Sequence, residues 1–161
     1  MKVSFVLNGE PQRIEADPER RLVTILREDL AQTATKEACS IGRCGACMVL
    51  MDGRAVNSCL LMAYQLEGAD ITTTEGLAGH QLAATIRKAM IAENAFQCGY
   101  CAPGFVMALI DLLTRNPQAD EDTIRSALEG NICRCTGYHS IIRGALSAVR
   151  LLRETSILAG A

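Results

Sequence analysis

The cysteines are the residues of this sequence whose number and spacing most clearly indicate chemistry. The chain of 161 residues contains 8 cysteines, and a reducing cellular compartment argues against so many structural disulfides. A chain of this length also buries a core without covalent cross-links. Metal binding or redox chemistry is therefore the preferred interpretation. The cysteines form two groups of four, one in each half of the chain: Cys39, Cys44, Cys47 and Cys59, then Cys98, Cys101, Cys133 and Cys135.

The first group has the spacing C-x4-C-x2-C-x11-C, in the segments CSIGRCGAC and NSC. This order is the plant-type [2Fe–2S] spacing. Four thiolates must surround a compact cluster, so the loop needs small residues, which Gly42, Gly45 and Ala46 supply. Their amide N–H groups can also point at the sulfurs and favour the reduced state. A closed zinc site is the main alternative, and unliganded core cysteines are the second.

The second group has the spacing C-x2-C-x31-C-x-C, which matches neither the bacterial nor the plant ferredoxin pattern. Cys133 and Cys135 flank a single residue, and a disulfide across one residue is geometrically poor. Two thiolates on one metal centre explain this pair better, with Cys98 and Cys101 completing a set of four. Both pairs lie at the N-terminal ends of predicted helices, where the partial positive charge favours thiolates. The spacing alone predicts a four-thiolate metal site without specifying the metal.

The first half of the chain has the patterns of strands with one helix across them. Apolar and polar residues alternate around Asn8-Gly9, and a second such run turns at Asp52-Gly53. Both dipeptides predict hairpins, because they tolerate the positive φ that the turn needs. Helical spacing of apolar residues predicts a helix over 22–30, and the β-branched segment DITTTEG predicts a further strand.

The second half has four segments with helical spacing of apolar residues, which predicts a four-helix bundle. Pro103 fits the first turn of one helix, and Asp120 fits the N-cap of the next. The predicted fold class is thus α+β. The predicted organisation is a first domain over 1–76, a helical domain over 77–155 and a loosely held tail over 156–161.

Composition excludes several function classes. The net charge is −2 with both signs interspersed, so no basic surface for nucleic acid is expected. No apolar stretch approaches the ~20 residues of a membrane span, and the N-terminus lacks a signal-peptide pattern. We therefore expect a cytoplasmic protein with neither nucleic acid nor membrane as a partner. The only histidines, His80 and His139, are interpreted as ordinary polar residues, and no GxGxxG, P-loop or Ser–His–Asp pattern is present.

The two cysteine motifs together resemble one family. CSIGRCGAC followed by QCGYCAPG and GNICRCTGY is similar to the small iron–sulfur subunit of molybdenum hydroxylases of the xanthine oxidase type, over residues 1–150. The resemblance implies a β-grasp ferredoxin-like domain followed by a four-helix domain, each with one [2Fe–2S] cluster. It implies that the first cluster is held by Cys39, Cys44, Cys47 and Cys59, and the second by Cys98, Cys101, Cys133 and Cys135.

The same resemblance implies partners. In the family the helical-domain cluster lies beside a molybdopterin cofactor on a large subunit, and residues matching Gln97 and Cys135 approach the pterin. Electrons then pass to the ferredoxin-like cluster and on to FAD on a medium subunit, and the expected assembly is a dimer of heterotrimers. A purine or another N-heterocycle is the expected substrate of that assembly, with aldehydes, carbon monoxide and aromatic acyl-CoA compounds as alternatives.

Two rival functions are left open by the residues themselves. The first is a free ferredoxin-like carrier, although a simple carrier needs neither the helical half nor a second cluster. The second is a structural zinc protein. Whether the chain is an iron–sulfur subunit or a free carrier, its expected chemistry is electron transfer and not acid–base or nucleophilic catalysis.

Overall fold

The computed structural model describes the backbone of residues 1–159 and the side chains of residues 1–155. Its strands are β1 (Lys2–Leu7), β2 (Glu10–Glu15), β3 (Met48–Met51), β4 (Arg54–Asn57) and β5 (Asp70–Thr72). They form one mixed sheet in the order β2-β1-β5-β3-β4. β1 and β5 are parallel, and the other neighbouring strands are antiparallel.

Both expected hairpins are confirmed. Asn8 and Gly9 have φ angles of 54° and 83°, and Asp52 and Gly53 have φ angles of 51° and 78°. Each pair therefore supplies the two positive φ values that a tight hairpin requires. These turns fix the registers of β1 on β2 and of β3 on β4.

The helix expected over residues 22–30 packs against the sheet, and the β-grasp arrangement is confirmed. It consists of α1 (Leu22–Thr24) and a π-helical turn over Ile25–Asp29. The wider turn is closed by the Leu30 amide, which donates to the Ile25 carbonyl at 3.1 Å. The side chains of this segment are buried against those of the strands: Leu22, Ile25 and Leu26 with Val3, Phe5, Leu7, Val49 and Ile71.

The second half is helical, as expected. The helices are α2 (Gln81–Ala92), α3 (Ala102–Arg115), α4 (Glu121–Ala127) and α5 (His139–Ala159). Pro103 lies in the first turn of α3, and the Asp120 carboxylate accepts from the Thr123 amide at 2.9 Å as the N-cap of α4. His80 caps α2 by accepting from the Ala83 amide. Within the described residues, none of the helices combines the length and the apolar composition of a transmembrane segment.

Strand β3 connects the two halves because both of its faces are buried. Val49 belongs to the core of the sheet and α1, whereas Leu50, the next residue, is buried among the helices. Successive side chains of a strand point to opposite faces, and a strand covered on both faces is apolar throughout. The run MVLM in β3 has this composition.

The predicted domain limits stay predictions. The limit between residues 76 and 77 falls in a 3-10 turn over Thr74–Leu77, and Leu77 is buried with the helices. The predicted tail begins inside α5, whose backbone continues to Ala159. Residues 160 and 161 and the side chains of 156–159 lie outside the described part of the chain.

An ion pair that joins the halves gives a stability prediction. The Asp111 carboxylate of α3 is 12% exposed and lies 3.2 Å from Arg54 of β4 and 2.9 Å from Arg115. We expect Asp111→Asn to lower the free energy of unfolding by about 1–2 kcal/mol, because it removes the charge of a nearly buried carboxylate that accepts a hydrogen bond from Arg115 and forms an ion pair with Arg54. Denaturant unfolding of the metal-free chain measures this change.

The matched control is Glu121→Gln, which breaks an exposed pair with Arg125 on α4. Exposed helix pairs are worth only about 0.3–0.5 kcal/mol. Equal losses for the two variants would contradict a special role for Asp111 at the junction.

Candidate metal centres

The first four cysteines lie in the loop that precedes β3 and in the turn that follows β4. Cys47 and Cys59 are 2% and 1% exposed and pack against Val23. Cys39 and Cys44 are half-buried. Contacts between thiols join Cys39 to Cys44 and Cys47 to Cys59. The four thiols thus form two pairs at one site.

The loop backbone explains why small residues separate these cysteines. Ser40, Gly42 and Gly45 all have positive φ, at 54°, 74° and 68°. A Cβ at position 42 would overlap the Leu60 side chain, and one at position 45 would lie 2.5 Å from the Asn131 amide nitrogen. Positive φ favours glycine at both positions, and at position 45 the Gly130 carbonyl oxygen, also 2.5 Å from such a Cβ, leaves no room for a side chain.

The two pairs of the first set have different electrostatic surroundings. The Ile41 amide, helped by the Arg43 amide 3.3 Å from the Cys39 sulfur, lowers the pKa of Cys39 to about 6. Burial and the neighbouring Cys47 raise the pKa of Cys59 to about 11. Amide donors therefore stabilise negative charge on the Cys39 sulfur, whereas the buried Cys59 sulfur needs a metal cation to be held as a thiolate.

The second set is built from two segments between helices of the second half. Cys98 lies in the turn before α3 and Cys101 is its N-cap residue, whereas Cys133 and Cys135 lie between α4 and α5. The Cys98 and Cys135 sulfurs are 3.6 Å apart and exposed. Cys101 contacts Cys133, which is 7% exposed. This set too has an outer pair and an inner pair.

The Cys133 sulfur of the second set accepts from the Thr136 hydroxyl and from the backbone amides of Cys135 and Thr136. Burial acts to raise the pKa of Cys133, but the Thr136 hydroxyl 3.2 Å from its sulfur and nearby backbone amides outweigh burial and lower that pKa. Burial raises the pKa of Cys101 to about 12, and contact with Cys98 raises the pKa of Cys135. The Tyr138 hydroxyl accepts from the Cys133 amide at 3.1 Å and fixes the loop.

The pairing of thiols fits a centre with two metal ions. Two thiolates on one tetrahedral ion, each about 2.3 Å from it, lie about 3.8 Å apart, close to the 3.6 Å between Cys98 and Cys135. A [2Fe–2S] cluster with four cysteine ligands takes two thiolates on each iron, as these pairs would provide. Within the described residues, no three His, Cys, Asp or Glu side chains are grouped as one ion would require.

The backbones of the two cysteine motifs are in direct contact. The Ile132 amide donates to the Cys44 carbonyl at 2.9 Å, and the Asn131 side chain donates to the Gly45 carbonyl at 3.4 Å. A Cβ on Gly104, in the first turn of α3, would overlap that same carbonyl oxygen. The first loop is therefore held between α3 and the segment that carries Cys133.

Comparisons with known proteins agree with this geometry. A family model described as a 2Fe-2S iron-sulfur cluster binding domain matches residues 5–78, and one described as a [2Fe-2S] binding domain matches residues 73–146. Over 150 residues the chain is 45% identical to a probable xanthine dehydrogenase subunit of Bacillus subtilis strain 168, covering 93% of this chain and 84% of the relative. The chain belongs to the family of small iron–sulfur subunits of xanthine dehydrogenase and related molybdenum hydroxylases.

Solved structures of family members have the same fold. Quinoline 2-oxidoreductase of Pseudomonas putida 86 matches with a TM-score of 0.87 and 36% identity, over 96% of each chain. Aldehyde oxidoreductase of Desulfovibrio gigas matches with a TM-score of 0.87 and 31% identity, over 96% of this chain and 17% of that longer chain. The resemblance, the α+β fold class and the oxidoreductase class predicted from the sequence are confirmed, and so are two 2Fe-2S binding domains.

Sequence reasoning missed three residues of this site. Asn131 is 3% exposed, and its Oδ1 has no hydrogen-bond partner among the described residues. Thr136 and Tyr138 hold the second loop. The only signal for them is their place beside Cys133 and Cys135 in NICRCTGY, because spacing rules register the cysteines alone. Gln97 lies exposed beside Cys98, on the outer side of the second set.

Because the thiols of each set pair only within that set, we expect that the metal centre of one set can be lost while the other is retained. We expect Cys44→Ser to remove about half of the bound iron and the spectroscopic signal of the first set, leaving that of the second. The physical reason is that the contact with the helical half uses the Cys44 carbonyl, which the substitution leaves in place. Iron analysis and electron paramagnetic resonance of the reduced chain measure the result.

Cys101→Ser is the matched variant and is expected to do the reverse. Loss of both signals in either folded variant would show that the ligand sets are divided differently between the halves.

Proposed function

We propose that this chain relays electrons, one at a time, from a molybdopterin centre on a large partner subunit to FAD on a medium partner subunit. The observation that carries the proposal is that each half holds four thiols in two pairs, and that loop backbone joins the two sets. The proposed ligands of the first centre are Cys39, Cys44, Cys47 and Cys59, and those of the second are Cys98, Cys101, Cys133 and Cys135.

The residues of the chain prepare each site for negative charge. When bound, each [2Fe–2S] cluster supplies reversible one-electron chemistry. The Arg43 amide and the Thr136 hydroxyl donate to the sulfurs of Cys39 and Cys133, and donors to ligand sulfurs favour the more negative state. Val23 and the core behind it exclude water from the inner side of the first site.

The exposed edge of the second set is the proposed entry for electrons. Cys98 and Cys135 are both exposed, and Gln97 is exposed beside them. The Gln97 amide offers one acceptor and two donors, which match the mixed hydrogen-bonding edge of a pterin. We assign Gln97 and Cys135 to contact with the molybdopterin, Cys135 as both an iron ligand and a hydrogen-bond acceptor.

The proposed exit lies beside the first set. Ile41 and Leu60 are 63% and 54% exposed there, and Leu60 packs on Gly42 of the cysteine loop. Leu60 lies against the residue that follows Ile41, so the two side chains form one exposed apolar surface beside the cysteine loop, and contiguous apolar surface is typical of interaction sites. The medium subunit with FAD is the partner that fits this face, because electrons must leave from the first set.

The substrate class and the assembly are inferred from relatives. Oxidation of one substrate C–H bond, with water as the oxygen source, releases two electrons and two protons in the large subunit, and this chain carries the two electrons away in succession. The names xanthine dehydrogenase and quinoline 2-oxidoreductase favour a purine or another N-heterocycle, with an aldehyde as the competing class. The proposed assembly is a cytoplasmic dimer of heterotrimers, and 8 free thiols suit a reducing compartment.

Metal analysis tests the proposed function. We expect about four irons and four acid-labile sulfides per chain, since two sets of four cysteines each hold two irons. Dithionite reduction should give two distinguishable paramagnetic signals, because one set lies beside a sheet and the other among helices. About one zinc for each cysteine set, without sulfide, would refute the proposal and favour a structural zinc protein.

Gln97 provides a sharper test of the pterin contact, because its side chain is not a proposed iron ligand. In the assembled complex we expect Gln97→Ala to keep all the iron but to weaken cofactor retention by about 1 kcal/mol, roughly fivefold, or to slow reduction of the second set by substrate. Molybdenum analysis and rapid-mixing spectroscopy measure both effects.

Gln118→Ala is the control, since Gln118 is also exposed but lies between α3 and α4. If molybdenum content and the rate of cluster reduction are unchanged in Gln97→Ala, Gln97 does not contact the pterin. The assignment of the pterin to this edge is then refuted.

A further inference from the structure

Helix α3 approaches the first cysteine loop where Gly104 lies against Gly45. A Cβ at position 104 would overlap the Gly45 carbonyl oxygen and lie 3.0 Å from its carbonyl carbon and 3.2 Å from the Ala46 Cα. All three of those atoms are backbone, which cannot rotate away as a side chain does. Any side chain at position 104 must therefore push the loop and the helix apart.

Glycine at this position works against the helix that contains it. Gly104 is buried in α3, and glycine disfavours a helix relative to alanine. Nothing about its own helix explains glycine there, whereas the approach of the Gly45 carbonyl does. The missing side chain at position 104 leaves room for the loop that carries Cys44 and Cys47.

The same loop is held on its other side by the second cysteine motif. The Ile132 amide donates to the Cys44 carbonyl at 2.9 Å, and Ile132 directly precedes Cys133. Asn131 approaches Gly45 closely enough that a Cβ there would lie 2.5 Å from its amide nitrogen. The first loop is thus fixed between the start of α3, which carries Cys101, and the segment that carries Cys133.

We propose that Gly104 is a positioning residue that sets the separation between the two thiol sets. It acts through the Gly45 backbone and not by touching a metal ligand side chain. The inference rests on the proposed function, since separation matters because electron tunnelling slows steeply with distance. The magnetic coupling between two reduced centres also falls with distance, by the inverse cube for dipoles, and reports the separation directly.

Gly104→Ala tests the proposal in the full chain loaded with iron and sulfide. We expect the iron content to be unchanged and both electron paramagnetic resonance signals to be present. The splitting of these signals, which arises from the magnetic interaction between the two fully reduced centres, should be smaller than in the unaltered chain. Gly130→Ala is the matched control from the same junction, because a Cβ at Gly130 meets only the Met48 methyl group at 3.7 Å. Its splitting should equal that of the unaltered chain. Equal splitting in Gly104→Ala would overturn the proposal.

A second measurement decides the case in which Gly104→Ala retains only one centre. Hydrogen–deuterium exchange in the metal-free full chain measures how fast the Ile132 amide proton exchanges. The hydrogen bond from this amide to the Cys44 carbonyl spans the junction. Faster exchange in Gly104→Ala than in Gly130→Ala supports the positioning role, and equal protection overturns it. An unaltered chain that binds no iron–sulfur centres would refute the proposed function and the inference together, whereas two normal signals with unchanged splitting in Gly104→Ala would refute the inference alone.

Discussion

The arrangement of this molecule depends on one constraint, that eight cysteine thiols meet in pairs at two sites. The first site draws its thiols from a loop and from the turn after β4, so the loop must reverse direction repeatedly within a few residues. Positive φ at Ser40, Gly42 and Gly45 achieves this reversal. The second site draws on segments more than thirty residues apart in sequence, so it exists only when the start of α3 and the segment between α4 and α5 are brought together.

The two sites are held in one body by backbone and core together. Leu50 of β3 enters the helical core, while its neighbour Val49 stays in the core of the sheet. Asp111 pairs across the junction with Arg54. Burial of apolar side chains supplies most of the stabilisation in such a junction, whereas the hydrogen bond from Ile132 to the Cys44 carbonyl fixes its register.

Local features of the fold were predictable from the sequence, and long-range ones were not. Asn8-Gly9 predicts its hairpin because two positive φ values are a property of two adjacent residues. The plant-type cysteine spacing predicts the first site for a similar reason, since its first three cysteines lie in nine consecutive residues. The π-helical turn over Ile25–Asp29 and the approach of Gly104 to Gly45 depend on what packs against them. For the second set the spacing predicts a four-thiolate metal site, but only the family resemblance indicates the kind of centre, because that spacing matches neither ferredoxin pattern.

The junction also shows why glycine and backbone, instead of larger side chains, lie between the two sets. Helices that meet through ordinary side chains keep their axes about 8–10 Å apart, and a layer of that thickness would separate the sets further. Because Gly104 and Gly45 have no side chains, the helix backbone and the loop backbone can approach each other directly. The remaining route from Cys44 to Cys133 is one hydrogen bond and a short stretch of peptide. An electron carrier with two centres gains from such a route, whereas a structural metal protein has no need of it.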